Sequence, residues 1–295
     1  MVYLLLAIAS SLGIGAVFKE SGLRGVDRLH LITINYLVAA ALGAFLVYRA
    51  GAPWMDAGTG FLVFGTAVGA FLAVGFLVIA VSTQRAGISL TLAVQRTGVS
   101  IPFIVSWLAW AEVPSTLQWL GFSLVVASLI FLTRPVGQAT PAGAASSSPA
   151  TPRSGSAVLL LLAVFVTGGL GDLSFKTFDV WYGARLDGHV FLTLAFGVAF
   201  LVGLVPLFRR PVGQRIAKRD AVLWGVLLGV LNYGSILFLL GAVARIPGIV
   251  VFPTLAASVV VGGTVLGTVI WRERVSAVNL LGVALAAAGV VLLNA

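Results

Sequence analysis

Polar side chains interrupt otherwise apolar stretches of this 295-residue sequence at a few positions. Amide, phenol, guanidinium and carboxylate groups can bind organic solutes, and inside apolar surroundings they are costly unless a partner or water satisfies them. Such residues occur in pairs: Asn35 and Tyr36, Gln95 and Arg96, Asp172 and Lys176, and Asn232 and Tyr233. We therefore expect these positions to face a cavity or one another.

Six of these residues are candidates for substrate contact. Arg96 could grip a carboxylate through two parallel hydrogen bonds, or it could reach toward the nearer membrane interface or pair with an acid. Asn232 could instead hydrogen-bond to a neighbouring helix, while Tyr233 offers an aromatic face and a hydroxyl. We predict a substrate site that contains Asn232, Tyr233, Gln95, Arg96, Asn35 and Tyr36.

The last pair has a different character because its members carry opposite charges. Asp172 and Lys176 are four residues apart, so on a helix they share one face and could neutralise each other. The alternative is a coupling or gating role, in which Asp172 exchanges a proton and Lys176 acts as a gate. Both interpretations stay open at this point.

The elements that carry these residues are hydrophobic segments. Hydrophobic residues make up 60% of the chain and charged residues 9%, which excludes an ordinary soluble domain. A membrane-spanning helix needs roughly 20 apolar residues. Ten stretches qualify, and they lie near residues 3–18, 29–48, 60–82, 88–110, 116–133, 157–178, 189–208, 221–243, 247–271 and 276–294. We predict an all-α integral membrane protein with ten transmembrane helices.

Several classes of protein are disfavoured by residue types. The chain has no cysteine, which excludes disulfides and thiolate chemistry, and its two histidines, His30 and His189, lie at span edges. A membrane-embedded enzyme would need paired acids, a histidine cluster or a metal site, so we expect no enzyme, cofactor or metal. The net charge of +9 comes from loops between apolar spans rather than from one folded face, so nucleic acid is not an expected partner.

The two halves of the chain are similar to each other. A shift of 161 positions lays 88–121 on 249–282 without a gap and superimposes scarce residues: Trp110 on Trp271, Glu112 on Glu273, Ser115 on Ser276 and Gly121 on Gly282. We predict a first five-helix repeat over 1–134, a flexible linker rich in Pro, Ser, Gly and Ala over 135–156, and a second repeat over 157–295. Because five is odd, the second repeat must be inverted relative to the first, with a central cavity between them.

This pattern resembles the drug/metabolite transporter superfamily, in particular its ten-helix EamA-type exporters. Each half has Trp-x-Glu near the end of its fourth span and a glycine that opens the fifth, and Pro102 and Phe18–Lys19 also fit. The resemblance implies a secondary transporter that works by alternating access and exports aromatic or neutral amino acids or related metabolites. A multidrug, sugar or nucleotide-derivative carrier of the same fold is the alternative. We expect a functional monomer whose partners are a small-molecule substrate and the lipid bilayer.

Two further patterns concern packing. Glu112 and Glu273, between a Trp and a polar loop, are expected to pin helix-to-helix turns rather than to bind substrate. Glycines spaced by four residues permit close helix approach. They occur at 65 and 69, at 225 and 229, and at 263 and 267.

Loop charges predict the orientation in a cell (inner) membrane. The loops after spans 1, 3, 5, 7 and 9 hold thirteen Lys and Arg residues, whereas those after spans 2, 4, 6 and 8 hold three. Basic loops stay in the cytoplasm. Members of the resembling family usually keep both termini there, so this chain is expected to depart from them.

We predict that both termini face the periplasm and that the linker faces the cytoplasm. Reporter fusions at Ala295 and within the linker measure this directly. A reporter at Ala295 that is active only as a cytoplasmic protein would contradict the prediction.

Overall fold

The structure is a computed structural model that describes residues 1–51, 58–85, 88–132, 155–272 and 276–295. These residues form eleven α-helices and contain no β-strand, which confirms the all-α class for this part of the chain. The helices are α1 (Val2–Leu23), α2 (Arg28–Ala50), α3 (Gly58–Arg85), α4 (Ile88–Thr97), α5 (Ser100–Trp110), α6 (Thr116–Leu132), α7 (Gly155–Tyr182), α8 (Gly188–Phe208), α9 (Arg219–Val243), α10 (Gly248–Trp271) and α11 (Ala277–Leu293).

Seven of the described helices are long and apolar enough to cross a membrane, namely α1, α2, α3, α7, α8, α9 and α10. Helices α6 and α11 are apolar but have 17 residues each. Helices α4 and α5 have only 10 and 11 residues, about half of what a bilayer core requires. The chain is thus a helical membrane protein, and the count of ten spans stays a prediction.

The predicted fourth span, 88–110, is not one continuous helix. Helix α4 ends in a tightened turn in which the Gly98 amide donates to the Gln95 carbonyl three residues earlier, at 3.1 Å. Pro102 has no N–H to offer the Gly98 carbonyl, and that carbonyl accepts from the Ile101 amide at 2.9 Å instead. The predicted span therefore consists of two helices, α4 and α5, in the structure.

The chain forms two compact units, and both combine segments that are distant in sequence. Unit one comprises Met1–Val74 and Ser174–Ile246, and unit two comprises Gly75–Leu173 and Pro247–Ala295. Both units therefore contain residues of both predicted repeats. This division does not test the predicted repeats, because compact units are defined by contacts and repeats by similarity along the sequence. The repeats stay a prediction. Of the predicted linker, only residues 155 and 156 are described, and they begin α7.

Unit one is built around α2, which packs against α8 and α9, while α1 packs against α9. Aromatic rings from α3, α7 and α8 fill its interior. Phe178 and Phe191 stack with ring centres 4.3 Å apart, and Phe61 approaches both. Large apolar rings exclude water from this interior, so the polar groups near it depend on partners within the protein.

Unit two is held together chiefly by α6 and α11, with α10 packed against α5, α6 and α11. Gly121 of α6 and Gly289 of α11 lie against each other, and a Cβ added to either would come within 2.8 Å of the other's carbonyl oxygen. Phe103 of α5 stacks on Phe122 of α6 with ring centres 3.9 Å apart. The glycine that opens the predicted fifth span therefore serves close packing.

The α1–α2 turn and the α8–α9 connection meet at one end of unit one. Arg210 Nη1 donates to Asp27 Oδ2 at 2.7 Å, and His30 Nε2 lies 3.2 Å from the Arg215 carbonyl oxygen. Residues 24–28 and 209–219, which we call the basic end, contain seven Lys and Arg residues. The loops after predicted spans 1 and 7 therefore share one end, as their odd numbering requires.

The opposite end of unit one carries less positive charge. The guanidinium of Arg245 lies over the ring of Tyr3, 4.4 Å from its centre, which puts the start of α1 beside the end of α9. Exposed arginines in the described part of this end are Arg49, Arg185 and Arg245. The charge asymmetry that orients membrane proteins is thus present within one compact unit.

Asp27 organises the basic end by capping α2. Its carboxylate accepts from the His30 amide at 3.0 Å and from Arg210. Partial burial by itself would raise the pKa of this carboxyl group, but the hydrogen bonds and the positive charge of Arg210 outweigh burial and hold the pKa below its usual range. Asp27 therefore stays ionised, and its contribution to stability is lost only as the pH falls through that lowered pKa.

Two of the three glycine motifs lie at close helix contacts. Gly65 and Gly69 face α8, and Gly225 and Gly229 face α2. A Cβ at position 229 would lie 2.7 Å from Val38 Cβ and 2.8 Å from the Asn35 carbonyl oxygen. At Gly263 nothing lies within 4 Å, so this glycine does not serve close approach.

We predict that Gly229→Ala lowers the free energy of unfolding by about 1–3 kcal/mol, because the added methyl group meets backbone and a β-branched side chain. Gly263→Ala is the matched control, and it should be neutral or raise stability slightly through better helix propensity. Thermal unfolding in detergent compares the two variants. Equal midpoints would contradict this account of the α2–α9 contact.

Candidate substrate-binding site

Four of the predicted substrate residues lie together on α2 and α9 in unit one. Asn232 Nδ2 donates to Asn35 Oδ1 at 3.1 Å, and the Asn35 side chain is buried, with 3% of its surface exposed. The two asparagines meet because Gly229, one turn before Asn232, brings α9 against the Asn35 backbone. The pairing satisfies one donor and one acceptor, while each side-chain amide has a second group to offer.

The two tyrosines lie on either side of Phe196 of α8, with ring centres 6.1 Å from it for Tyr36 and 6.3 Å for Tyr233. The Tyr36 hydroxyl lies 3.5 Å from the Leu72 carbonyl oxygen. Tyr233 is 2% exposed, and its hydroxyl hydrogen-bonds to Nδ1 of His189. In unit one, each of these four predicted residues therefore has a hydrogen-bond partner within the protein, and Asn232 is the one that is only half-buried.

His189 is a site residue that the sequence analysis missed. It was set aside as a histidine at a span edge, yet its ring reaches inward to Tyr233. The sequence did contain a signal for this position, namely the helix-capping residue Asp187 two positions earlier. Asp187 caps α8 by accepting from the His189 amide at 2.7 Å, so His189 belongs to the first turn of the helix, below its cap.

Lys176 of α7 is buried, and its side chain reaches the C-terminal end of α9. Its ammonium group donates to the Val243 carbonyl oxygen at 3.3 Å, at the last residue of α9, and lies 3.6 Å from Asp179 Oδ2. A cation at a helix C-terminus interacts favourably with the carbonyl groups there. The structure thus gives Lys176 a stabilising position within unit one, and its predicted gating role stays a prediction.

The remaining predicted residues lie in unit two at the end of α4. Gln95 and Arg96 occupy the last turn of α4, directly before the interruption at Gly98, and Arg96 is exposed. Asp172 of α7 interacts electrostatically with the Arg96 guanidinium. An exposed arginine at the end of a short helix can offer donors to a ligand while a partly exposed acid balances its charge.

A pair of glycines on α7 brings this polar group together. A Cβ at Gly168 would lie 2.9 Å from the Gln95 carbonyl oxygen, and one at Gly98 would lie 2.8 Å from the Gly169 amide nitrogen. The interrupted helix therefore crosses α7 in direct backbone contact. Asp172 follows about one turn later on α7, which explains why it reaches Arg96 rather than a more distant cation.

The eight predicted residues thus form two groups. Unit one holds Asn35, Tyr36, Lys176, Asn232 and Tyr233, and unit two holds Gln95, Arg96 and Asp172. Asp172 and Lys176 each have an opposite charge in their own unit, namely Arg96 and Asp179. A single substrate site that uses both groups stays a prediction.

The Trp-x-Glu turns have a common backbone conformation. Ala111 and Arg272, which follow the two tryptophans and correspond under the 161-residue shift, are the two non-glycine residues with positive φ among the described residues, at 55° and 53°. The Glu112 carboxylate accepts from the Ile249 amide at 3.1 Å and so caps the first turn of α10. Glu112 therefore has the expected structural role, and Glu273 lies outside the described residues.

Comparison with known proteins shows a relative in sequence and a shared fold. No family model matches the sequence. The chain is similar to an uncharacterized protein of Haemophilus influenzae, with 26% identity over 292 residues that cover 95% of this chain and 93% of the relative. A protein of known crystal structure shares the fold with a TM-score of 0.75 and 16% identity, covering 99% of this chain and 94% of that one.

We predict that Asn35 and Asn232 are energetically coupled. Asn35→Ala and Asn232→Ala should each destabilise the protein because the remaining buried amide loses its partner, and the double variant should be less destabilised than the sum. The coupling energy should be about 0.6–1.7 kcal/mol. Unfolding free energies in detergent measure it, with Asn232→Ala plus Asn294→Ala as an additive control. Additivity for the first pair would contradict the hydrogen bond.

Proposed function

We propose that this chain is a secondary transporter of small organic solutes, of the drug/metabolite transporter type, and that it exports amino acids or related metabolites. The observation that carries the proposal is the interruption between α4 and α5 directly after Gln95 and Arg96. Discontinuous helices with unsatisfied backbone groups and polar side chains are the usual substrate-binding elements of secondary transporters. The repeated Trp-x-Glu turns, with their equivalent left-handed residues, support the same proposal.

The polar group of unit two supports a substrate with a carboxylate. Arg96 is exposed and carries a planar fork of donors that matches a carboxylate. Asp172 balances its charge in the absence of substrate. A substrate carboxylate would take the place of Asp172 beside Arg96, and the released acid could then bind a proton or a substrate ammonium group.

The polar network of unit one supports recognition of the rest of such a substrate. Asn35 and Asn232 have further donors and acceptors beyond their mutual hydrogen bond. Tyr233, which follows Asn232 in the sequence and is buried, would offer its aromatic ring once alternating access opens the surrounding helices. Amides and a ring suit a neutral or aromatic side chain better than a sugar, which would require many more polar groups. In our proposal, as the internal repeat of the sequence predicts, the chain forms two inverted five-helix repeats around a central cavity.

The proposed arrangement in the cell follows from the charges. Ten spans in an inner membrane, with the basic end of unit one in the cytoplasm and both termini in the periplasm, agree with the distribution of Lys and Arg. Alternating access between two inverted repeats would move the substrate across this membrane. The same fold could carry drugs, sugars or nucleotide derivatives, so the substrate panel must include them.

Counterflow in proteoliposomes tests the proposal with labelled amino acids, sugars, nucleosides and a cationic drug. We expect uptake of a neutral or aromatic amino acid, and about 10-fold slower uptake for Arg96→Lys, since the point charge cannot replace two parallel hydrogen bonds worth at least 1.4 kcal/mol. Asn232→Ala should also reduce uptake sharply. Arg85→Lys, a conservative change at the exposed end of α3, is the control and should transport normally.

The outcomes separate the site from the function. No counterflow with any compound in the panel would contradict the transporter proposal. If Arg96→Lys and Asn232→Ala take up substrate normally and only lose thermal stability, the transporter function would stand and the assigned binding site would be refuted. Uptake that favours a sugar or a cationic drug would show that the proposed substrate class, amino acids, is wrong.

A further inference from the structure

The connection between α8 and α9 has an unusual surface. Residues 209–218, which we call the α8–α9 segment, join two helices that are each long and apolar enough to span a membrane. Phe208 at the end of α8 and Val212 and Ile216 within the segment are apolar, yet 61%, 72% and 80% of their surfaces are exposed. The Arg215 guanidinium lies over the Phe208 ring, 6.0 Å from its centre, so apolar and basic groups are in contact on this surface. Exposed apolar side chains of this size next to two candidate spans are typical of a surface that contacts a membrane.

Basic side chains surround these apolar residues. Between residues 209 and 220 the chain has five Lys and Arg residues and one acid, Asp220. Four of the basic residues are exposed: Arg209, Arg215, Lys218 and Arg219. The fifth, Arg210, pairs with Asp27. The segment therefore combines a surplus of positive charge with exposed apolar side chains.

Hydrogen bonds hold the α8–α9 segment in a defined conformation. The Gln214 amide donates to the Pro211 carbonyl at 2.9 Å and the Arg215 amide to the Val212 carbonyl at 3.1 Å, which closes a short 3-10 turn. Arg215 Nε donates to the Arg210 carbonyl at 2.8 Å. The Arg210–Asp27 ion pair and the contact of His30 with the Arg215 carbonyl then fasten the turn to α2.

The location limits what can cover this surface. Because the segment directly follows one candidate span and directly precedes another, it lies where the hydrocarbon core gives way to headgroups. Trp224, one turn or so into α9, stacks with Arg24 at 5.4 Å, an aromatic–basic contact typical of this level of a membrane. Apolar side chains can enter the acyl boundary there while basic ones meet lipid phosphates.

We propose that the α8–α9 segment is a binding surface for anionic phospholipids, in which Val212 and Ile216 insert into the membrane interface and Arg209, Lys218 and Arg219 contact the phosphate groups. Charge complementarity favours anionic over zwitterionic lipid, and the spaced apolar residues favour a bilayer over a soluble acidic protein. The proposal concerns the membrane around the protein and does not depend on which solute it carries.

Site-specific fluorescence tests the proposal, and the absence of cysteine from the chain makes it simple. Ile216→Cys is labelled with an environment-sensitive dye, and the full chain is reconstituted in vesicles of phosphatidylcholine and phosphatidylglycerol. Quenching by brominated phosphatidylglycerol is compared with quenching by brominated phosphatidylcholine at equal mole fraction. We expect blue-shifted emission and at least about threefold stronger apparent association with the anionic lipid, since each basic side chain near an anionic surface contributes a factor of about five.

Two controls make the result specific. Ala184→Cys, exposed in the α7–α8 turn at the opposite end of unit one, should show a much weaker preference for the anionic lipid, because residues 183–187 carry a single basic residue, Arg185, and one acid, Asp187. Lys218→Gln with Arg219→Gln should lower the preference at position 216 severalfold, with Arg209 and Arg215 keeping part of it, while far-ultraviolet circular dichroism stays unchanged. Equal quenching by the two lipids in the parent protein, or a dye at position 216 that only an aqueous quencher reaches, would overturn the proposal. So would an unchanged preference in the double variant.

Discussion

A polar group inside a bilayer has no water to bond with, and this constraint governs each departure of the chain from regular apolar helix. Pro102 creates the clearest case, because it removes an amide that the carbonyl of Gly98 would use in a continuous helix. The structure accommodates this loss by ending α4, tightening its last turn and starting α5. Gln95 and Arg96 occupy that last turn, so the same break places two polar side chains beside it.

Glycine makes the accommodation possible. Direct backbone contact of the interrupted helix with α7 requires Gly168 and Gly169, since a methyl group at either would collide with backbone atoms. Gly229 has the same effect between α9 and α2, and there the close approach allows Asn35 and Asn232 to bond. Small residues thus decide which polar side chains meet, because they set the distance between the helices that carry them.

Charged side chains hydrogen-bond to backbone groups at helix ends that have no partner within the helix. Glu112 accepts from the first turn of α10, and Lys176 donates to the last carbonyl of α9. Both side chains are opposite in charge to the helix end that they contact, which makes the contact favourable. These positions differ from that of Arg96, which is exposed, has an acid nearby and lies beside an interruption rather than at a capped end. This difference is why Arg96, rather than Glu112 or Lys176, is the residue on which the proposed binding site depends.

The sequence by itself determined the all-α class, the membrane environment and the asymmetry of charge between loops. These properties follow from composition and from residues close together along the chain, because a helix satisfies its own backbone groups within four residues. It also marked the polar residues and two of the close-contact glycine motifs. Only the tertiary structure decided which partners they found: Asn232 bonds to Asn35 almost 200 positions away, Arg96 faces Asp172, and His189 turns inward to Tyr233. Pro102 marked a weak point in the fourth span, and the structure decided that the span divides there, with the Gly98 carbonyl taking a new local partner. Gly263 has no close neighbour for the same reason that Gly229 has one, since helix packing depends on segments that are distant in sequence.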